Sequence, residues 1–276
     1  MPFARGEHLI PKKFSQYSMS VDKASPKTIK SNDTLFRIVD SLCELNEAGV
    51  TELADRLDLS KSTVYKHLKS LEKHEFVVQN ASGTYRLGFR FLTYGGAIRD
   101  RQELCQVVAP KVKQLTTQTT ETCSFSIEEH GLGVYAYLEW GEHHIPRTQP
   151  VGQRFHLHMN ASGKAILAML SDERIRTIID ERGLPEQTPN TITDEDFLFE
   201  EIHKIREQGY AVNAEERFEG IRSIAAGIEH PQSRQFGAIS MAAPATRLEN
   251  EELEEKYATL LRSTVNEIDL KIQFNK

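Results

Sequence analysis

Cysteine is scarce in this chain: Cys43, Cys105 and Cys123 are far apart and odd in number. That spacing excludes a CxxC metal or redox motif and a paired disulfide framework, and it suits a reducing cytoplasm. Long apolar runs are missing, so no segment reads as a membrane span. The start, MPFARGEHLIPKKFSQYS, lacks the apolar stretch and cleavage pattern of a secretory leader. There is no G-x-S-x-G elbow, no low-complexity tract and no short internal repeat, and no nucleophile–base–orienter set can be assembled, so an enzyme is not expected. A net charge of −6 argues against a general nucleic-acid coat protein.

What is present is globular material for about two domains: 276 residues, 39% hydrophobic and 27% charged. The charge is uneven. Residues 1–100 hold 15 Lys+Arg against 12 Asp+Glu, while residues 101–276 hold 19 against 28. A mildly basic front and an acidic rear fit a DNA reader joined to a sensor, although chance unevenness accounts for charge alone equally well.

Residues 1–30 are polar, contain Pro2, Pro11 and Pro26, and have no periodicity, which predicts a mobile arm. Its Lys12, Lys13, Lys23, Lys27 and Lys30 fit a solvated tail better than a phosphate contact. Met19 is an alternative translation start, since organised patterning begins soon after it. Residues 31–90 predict a winged helix-turn-helix, with the helix-turn-helix at about 50–70. A first helix is expected over Asn32–Asn46, capped by Asn32 or Asp33, and a second over Val50–Leu57 with Leu53, Ala54 and Leu57 inward. After a turn at Asp58-Leu59, Ser60 caps a third helix reaching about Lys73. Phe76–Val78 and Tyr85–Leu87 flank a Gly83-bearing turn and read as the wing.

On the third helix Val64, Leu68 and Leu71 share one face. Ser62, Tyr65, Lys66 and Lys69 share the other, where they can meet phosphates and base edges. The N-terminal end of such a helix enters the major groove, which adds Ser60, Lys61 and Thr63. Arg86 on the wing is a candidate phosphate or minor-groove contact. Singly, each residue is equally explained by a solvated polar face. The order helix, helix, turn, helix, hairpin is what points to a double-stranded DNA operator.

A linker helix is expected at 91–102, and residues 103–274 predict an α+β sensor. Helices are read at Cys105–Thr119, Gly163–Leu170, Asp172–Arg182, Phe197–Gln208 and Glu249–Lys271. Strands are read at Cys123–Glu128, Val134–Trp140, Tyr210–Val212 and Gly237–Met241. His156-Leu157-His158 has strand-like spacing with both histidines on one face. With His143-His144 or Cys123 it could bind a metal, but a structural pair is the better reading, so no metal or cofactor is expected. Lys164, at a helix start, reads as a solvent or interface charge.

VTELADRLDLSKSTVYKHLKSLEKHEFV (Val50–Val77) resembles the IclR family of prokaryotic transcriptional regulators. GQRFHLHMNASGKAILAML (Gly152–Leu170), GYAVNAEERFEGIRSIAAGI (Gly209–Ile228) and FGAISMAAPATR (Phe236–Arg247) resemble its rear segments, in family order. The resemblance covers nearly everything after about residue 31. It implies a winged helix-turn-helix, a linker helix and a GAF-like effector-binding domain, assembled as a homodimer or homotetramer. GLPEQTPNTIT (Gly183–Thr193) is similar to halophilic archaeal members, whereas pI ≈ 6.0 is less acidic than expected there, so the lineage stays open.

The resemblance further implies a small-molecule effector, an organic acid or a sugar-derived metabolite. It would be held by backbone N–H groups of Ala161 and Ser162 and by Asn213, Ser223 and Ser240, with Phe155 and Ile221 as apolar wall. Ala242 stands where some members carry serine, which removes a donor. The alternative reading of Ser223 and Ser240 is that they merely satisfy neighbouring backbone. The family often has Pro at the position of Ser60, Gly at Glu75 and Pro at Gly227. The turn at Glu75 is therefore expected to differ, and Gly227 to loosen its strand.

Overall fold

The computed structural model describes residues 28–142 and 150–274. Most of the expected N-terminal arm and the His143-His144 pair lie outside them. The chain divides into two compact units that meet in sequence at Ile98 and Arg99.

In the first unit, α1 (Lys30–Leu45), α2 (Val50–Leu57) and α3 (Lys61–Lys73) enclose a core of Ile38, Leu42, Leu53, Val64 and Leu68, all fully buried. These positions recur every three to four residues, so each helix turns one stripe inward. The cap expected at Asn32 or Asp33 is not there. Helix α1 begins two residues earlier, behind Ile29, without a side-chain cap. Asp33 instead accepts from Thr28 Oγ1 at 2.7 Å. The turn between α2 and α3 uses Asp58 in the left-handed region, at φ 52°.

Strands β1 (Val77–Gln79) and β2 (Tyr85–Leu87) pair antiparallel, and Tyr85 also exchanges two backbone hydrogen bonds with Ala48. The wing is thus tied to the turn between α1 and α2. Before it, α3 ends in a Schellman arrangement: Phe76 N–H bonds Leu71 O, and Glu75 N–H bonds Glu72 O. Glu75 adopts φ 63°. The turn therefore keeps its shape, with a glutamate in the conformation that glycine favours.

Helix α4 (Arg90–Arg101) has no buried residue, and Phe89, Leu92 and Ile98 are exposed. Its first turns meet Phe76, whose ring lies 4.9 Å from Phe91 and 5.7 Å from Tyr94.

The second unit is built on a six-stranded antiparallel sheet of order β5-β4-β3-β8-β7-β6. Its strands are β3 (Thr122–Glu129), β4 (Leu132–Glu139), β5 (Arg154–His156), β6 (Ala211–Ala214), β7 (Ile221–His230) and β8 (Gln235–Pro244). Side chains alternate across it. Cys123, Phe125, Ile224, Ala226, Ile239 and Met241 face one way, into a core closed by α5 (Glu103–Thr119) and the C-terminal α10 (Glu251–Phe274).

The opposite face carries small residues, among them Ser124, Ser223, Gly227, Ser240 and Ala242. That allows α6 (Ala161–Met169) to lie close to the strands. Gly227 does not loosen β7: it pairs in register with Ala238, and a Cβ there would sit 2.3 Å from Met169 Sδ. Its lack of a side chain admits the helix. Outside α6 lie α7 (Asp172–Arg182) and α8 (Glu195–Gln208), and a short α9 (Ala245–Leu248) precedes α10.

The strand-like reading of His156-Leu157-His158 is corrected. Strand β5 ends at His156, and Leu157–Met159 forms a 3-10 turn that delivers the chain to α6. Gly163 makes this junction possible, because a Cβ there would lie 2.1 Å from Leu157 O.

Candidate functional site

Two sites emerge, one in each unit. In the first, Ser60 caps α3: its Oγ accepts from Thr63 N–H at 3.1 Å and lies 3.0 and 2.8 Å from the hydroxyls of Ser62 and Thr63. Lys61, Ser62, Tyr65 and Lys66 are exposed on consecutive turns, opposite the buried Val64, Leu68 and Leu71. Lys69 shares that face but is engaged within the unit. Its Nζ donates to Glu72 at 2.6 Å and lies 3.4 Å from Gln79 Oε1. Arg86 is half-buried, with Nη1 donating to Leu87 O at 3.3 Å. These four side chains are thus open to solvent, whereas Lys69 and Arg86 each hold an internal partner.

In the second unit a cavity of about 90 Å³ opens against the small-residue face of the sheet and the N-terminus of α6. Ser162, Asn213, Ile221, Ser223 and Ser240 all line it, as does Ala242. Phe155 and Ala161 do not. Phe155 is fully buried behind the wall, its ring 4.8 Å from that of Tyr135, and the Ala161 methyl is enclosed. Ala161 still contributes a first-turn N–H, which like that of Ser162 has no intrahelical acceptor. The next N–H, of Gly163, is taken by Asn160 Oδ1 at 2.8 Å.

The hydroxyls and amide of this wall already bond among themselves. Ser240 Oγ lies 2.8 Å from Ser124 Oγ. Asn213 Nδ2 donates to Ser223 Oγ at 3.2 Å, and Asn213 Oδ1 accepts from Glu216 N–H at 2.9 Å. Asn213 therefore shapes the loop after β6. Thr188, Asn190 and Thr191 brace the same loop, donating to the carbonyls of Glu215, Ala214 and Glu216.

Lys164 is not a surface charge. It is fully buried, with Nζ 2.6 Å from Glu216 and 3.1 Å from Glu201. One turn into α6 the side chain reaches Glu216 in the loop after β6 and Glu201 on α8, and these two carboxylates make its burial tolerable. Burial pushes the Glu216 carboxyl up, opposed by Lys164.

Sequence reasoning missed Arg217, Asn160, Tyr135 and Trp140, which also line the cavity. Arg217 sits in the charged run Glu215–Glu219, yet it is only 5% exposed. Its guanidinium donates to Tyr135 Oη at 2.8 Å across 82 positions of sequence, a pairing no local pattern encodes. His156 and His158 approach within 5.7 Å, ring to ring, and His158 Nε2 meets Pro185 O at 3.1 Å. Among the described residues no group of three or more His, Cys, Asp or Glu is placed to hold a metal, and no helix is long and apolar enough to cross a membrane.

Comparison with known proteins agrees with both halves. Residues 33–81 match the IclR helix-turn-helix domain, and residues 97–270 match the family described as bacterial transcriptional regulator IclR C-terminal. The chain is 31% identical to a probable HTH-type transcriptional regulator ArcR of Halobacterium salinarum, over 92% of this chain and 98% of the relative. It is 29% identical to the HTH-type transcriptional repressor AllR of Escherichia coli, over 89% and 92%.

Among solved structures, the IclR of Thermotoga maritima superposes with a TM-score of 0.73 at 29% identity, covering 89% of this chain and 98% of that one. An IclR homolog of Microbacterium hydrocarbonoxydans complexed with 4-hydroxybenzoate shares the fold, with a TM-score of 0.76 at 19% identity over 88% and 99%. The chain, a winged helix-turn-helix followed by an α+β effector-type domain, belongs to the IclR family of DNA-binding transcriptional regulators.

Proposed function

We propose that this regulator changes its affinity for a DNA operator when a small metabolite, an organic acid or a sugar-derived compound of a catabolic pathway, occupies the cavity of the second unit. The observation that carries the proposal is the pairing, in one chain, of an exposed groove-reading helix end with a polar cavity at a helix N-terminus, a usual place for anionic and hydroxylated ligands. The relative crystallised with 4-hydroxybenzoate supports an acid as one option.

On this reading residues 31–90 form the reading head, 91–102 the linker and 103–274 the effector domain. Ser60, Lys61, Ser62, Thr63, Tyr65 and Lys66 meet DNA directly, joined by Lys69 and Arg86 once these exchange partners. The ligand rests against Ser162, Asn213, Ser223 and Ser240, with Ile221 as apolar wall and the Ala161 N–H nearby. Phe155 supports that wall from behind.

The protein acts in the cytoplasm as a homodimer or homotetramer and performs no catalysis. Its relatives named above are regulators, and the exposed Phe36, Phe89, Leu92 and Ile98 offer apolar surface for a second copy.

The test is operator affinity, measured on DNA upstream of the chain's own gene with and without candidate metabolites, in wild type and Asn213→Ala. A ligand response of the usual coupling size, about 1–3 kcal/mol, that shrinks in Asn213→Ala supports the reading. Equal responses in both remove Asn213 from the pathway, and no response to any metabolite removes effector control.

A further inference from the structure

The chain leaves the first unit along α4, and between α4 and α5 only Gln102 is not helical. At φ −82° and ψ 109° this residue is extended, so it forms a joint between two helices. It stands at the N-cap of α5, yet its side chain makes no capping bond. Its Oε1 instead accepts from Gln235 Nε2 at 2.9 Å, across 133 positions of sequence. The next residue, Glu103, has Oε2 3.2 Å from His230 Nε2.

His230 is 4% exposed and uses both ring nitrogens. Its Nδ1 accepts from Ser233 N–H at 3.2 Å, so the proton of the neutral ring sits on Nε2 and is donated to Glu103. His230 and Gln235 face each other in register at one end of the β7–β8 hairpin. That hairpin pairs its two 10-residue strands without a shift, whereas β3 slips against β4 at Phe125 and Ser126. Bulges are where such ribbons bend, so an unbroken ladder is a stiff base for a clamp.

We infer that His230 and Gln235 are positioning residues for DNA binding, which hold the joint at Gln102 and Glu103 on the path to the reading head. Neither residue touches DNA in this account. A loose joint would have to be ordered each time two heads meet one DNA site, and that ordering costs affinity. The inference rests on the oligomer proposed above, because only paired heads feel the joint.

The test uses the full-length protein and a DNA site that wild type itself selects from a random-sequence pool. Affinity is measured across a salt series for wild type, His230→Gln, His230→Asn, Gln102→Ala, Gln235→Ala and the Gln102→Ala/Gln235→Ala double variant. His230→Gln keeps an N–H long enough to reach Glu103. His230→Asn keeps an acceptor for Ser233 N–H but is too short for Glu103. Affinity should fall about three- to tenfold in His230→Asn, the scale of one lost hydrogen bond, and stay within about twofold of wild type in His230→Gln. Gln102→Ala and Gln235→Ala should weaken binding alike, and the double variant no more than either. Salt slopes should match wild type throughout, since no phosphate contact is removed.

The opposite order, with His230→Asn binding as wild type and His230→Gln weakened, assigns His230 to its turn alone and overturns the inference. So do glutamine variants that bind as wild type, effects that add in the double variant, or a changed salt slope. Sedimentation of the same samples separates the two readings. A monomeric wild type removes the oligomer and the inference with it. An oligomer whose affinity ignores all these substitutions removes the clamp alone. A wild type that selects no site removes the reading head itself.

Discussion

Lys164 Nζ lies 2.6 Å from a carboxylate oxygen of Glu216, with both side chains shut away from solvent. This pair fastens α6 to the loop after β6, and Asn213 fixes the same loop by accepting Glu216 N–H. Two walls of the cavity are therefore held by one buried ion pair. Removing a partner leaves an uncompensated charge in a place that water does not reach. Lys164→Met should destabilise the second unit by about 3–5 kcal/mol. Adding Glu216→Gln in the same chain should recover part of that loss. Urea unfolding followed by the fluorescence of Trp140, the sole tryptophan, measures both. A Lys164→Met chain as stable as wild type contradicts this role.

Glu75 occupies the left-handed position that ends α3, at φ 63° with 82% of its side chain exposed. A side chain costs about 1 kcal/mol in that conformation, and the exposed ion pair with Arg90 offsets little of it. Glu75→Gly should stabilise the first unit by about 0.5–1 kcal/mol, the gain being trimmed by the greater freedom of glycine in the unfolded chain. Thermal unfolding of the variant measures it, and a fall in stability would contradict the strain.

His156 is held down to about 4 by burial first, and then by the neighbouring His158, Arg182 and Arg217 charges. Its ordinary value is 6.5, so the unfolded chain takes up a proton that the folded chain refuses. The stability from this group is fully present above pH 6.5, declines as pH falls, and is gone below about pH 4. Allowing for partial solvent contact, the change is on the order of 1–2 kcal/mol. His156→Gln should flatten the stability profile across that window. An identical slope in wild type and variant would place the acid sensitivity elsewhere.

The first unit was almost wholly legible in sequence, because its contacts are local. Val50–Leu57 and the Ser60 cap follow from spacing and from a hydroxyl ahead of an apolar stripe, and both stand in the structure as read. The cap of α1 was misread because Asn32 and Asp33 offered plausible side chains where the helix had already begun.

In the second unit the helices were visible, but the lining of the cavity was only partly so. Ser162, Asn213, Ser223 and Ser240 came from family resemblance. Lys164 looked like a solvent or interface charge and Arg217 drew no attention, since burial of a charge is decided by partners distant in sequence, Glu216 and Tyr135. Gly227 looked like a weak point because only the packed helix reveals what a side chain would strike.

The proposed reading of DNA by α3 depends on its exposed face. Its most direct test is the binding of the full-length protein to a DNA fragment upstream of its own gene across a salt series, in wild type and Lys66→Ala. Wild type should bind one site with affinity falling steeply as salt rises, and Lys66→Ala should lose about 1–3 kcal/mol if it meets a base edge. If wild type shows no salt-sensitive site, or if Lys66→Ala and Tyr65→Ala both bind as wild type does, α3 is not the reading element.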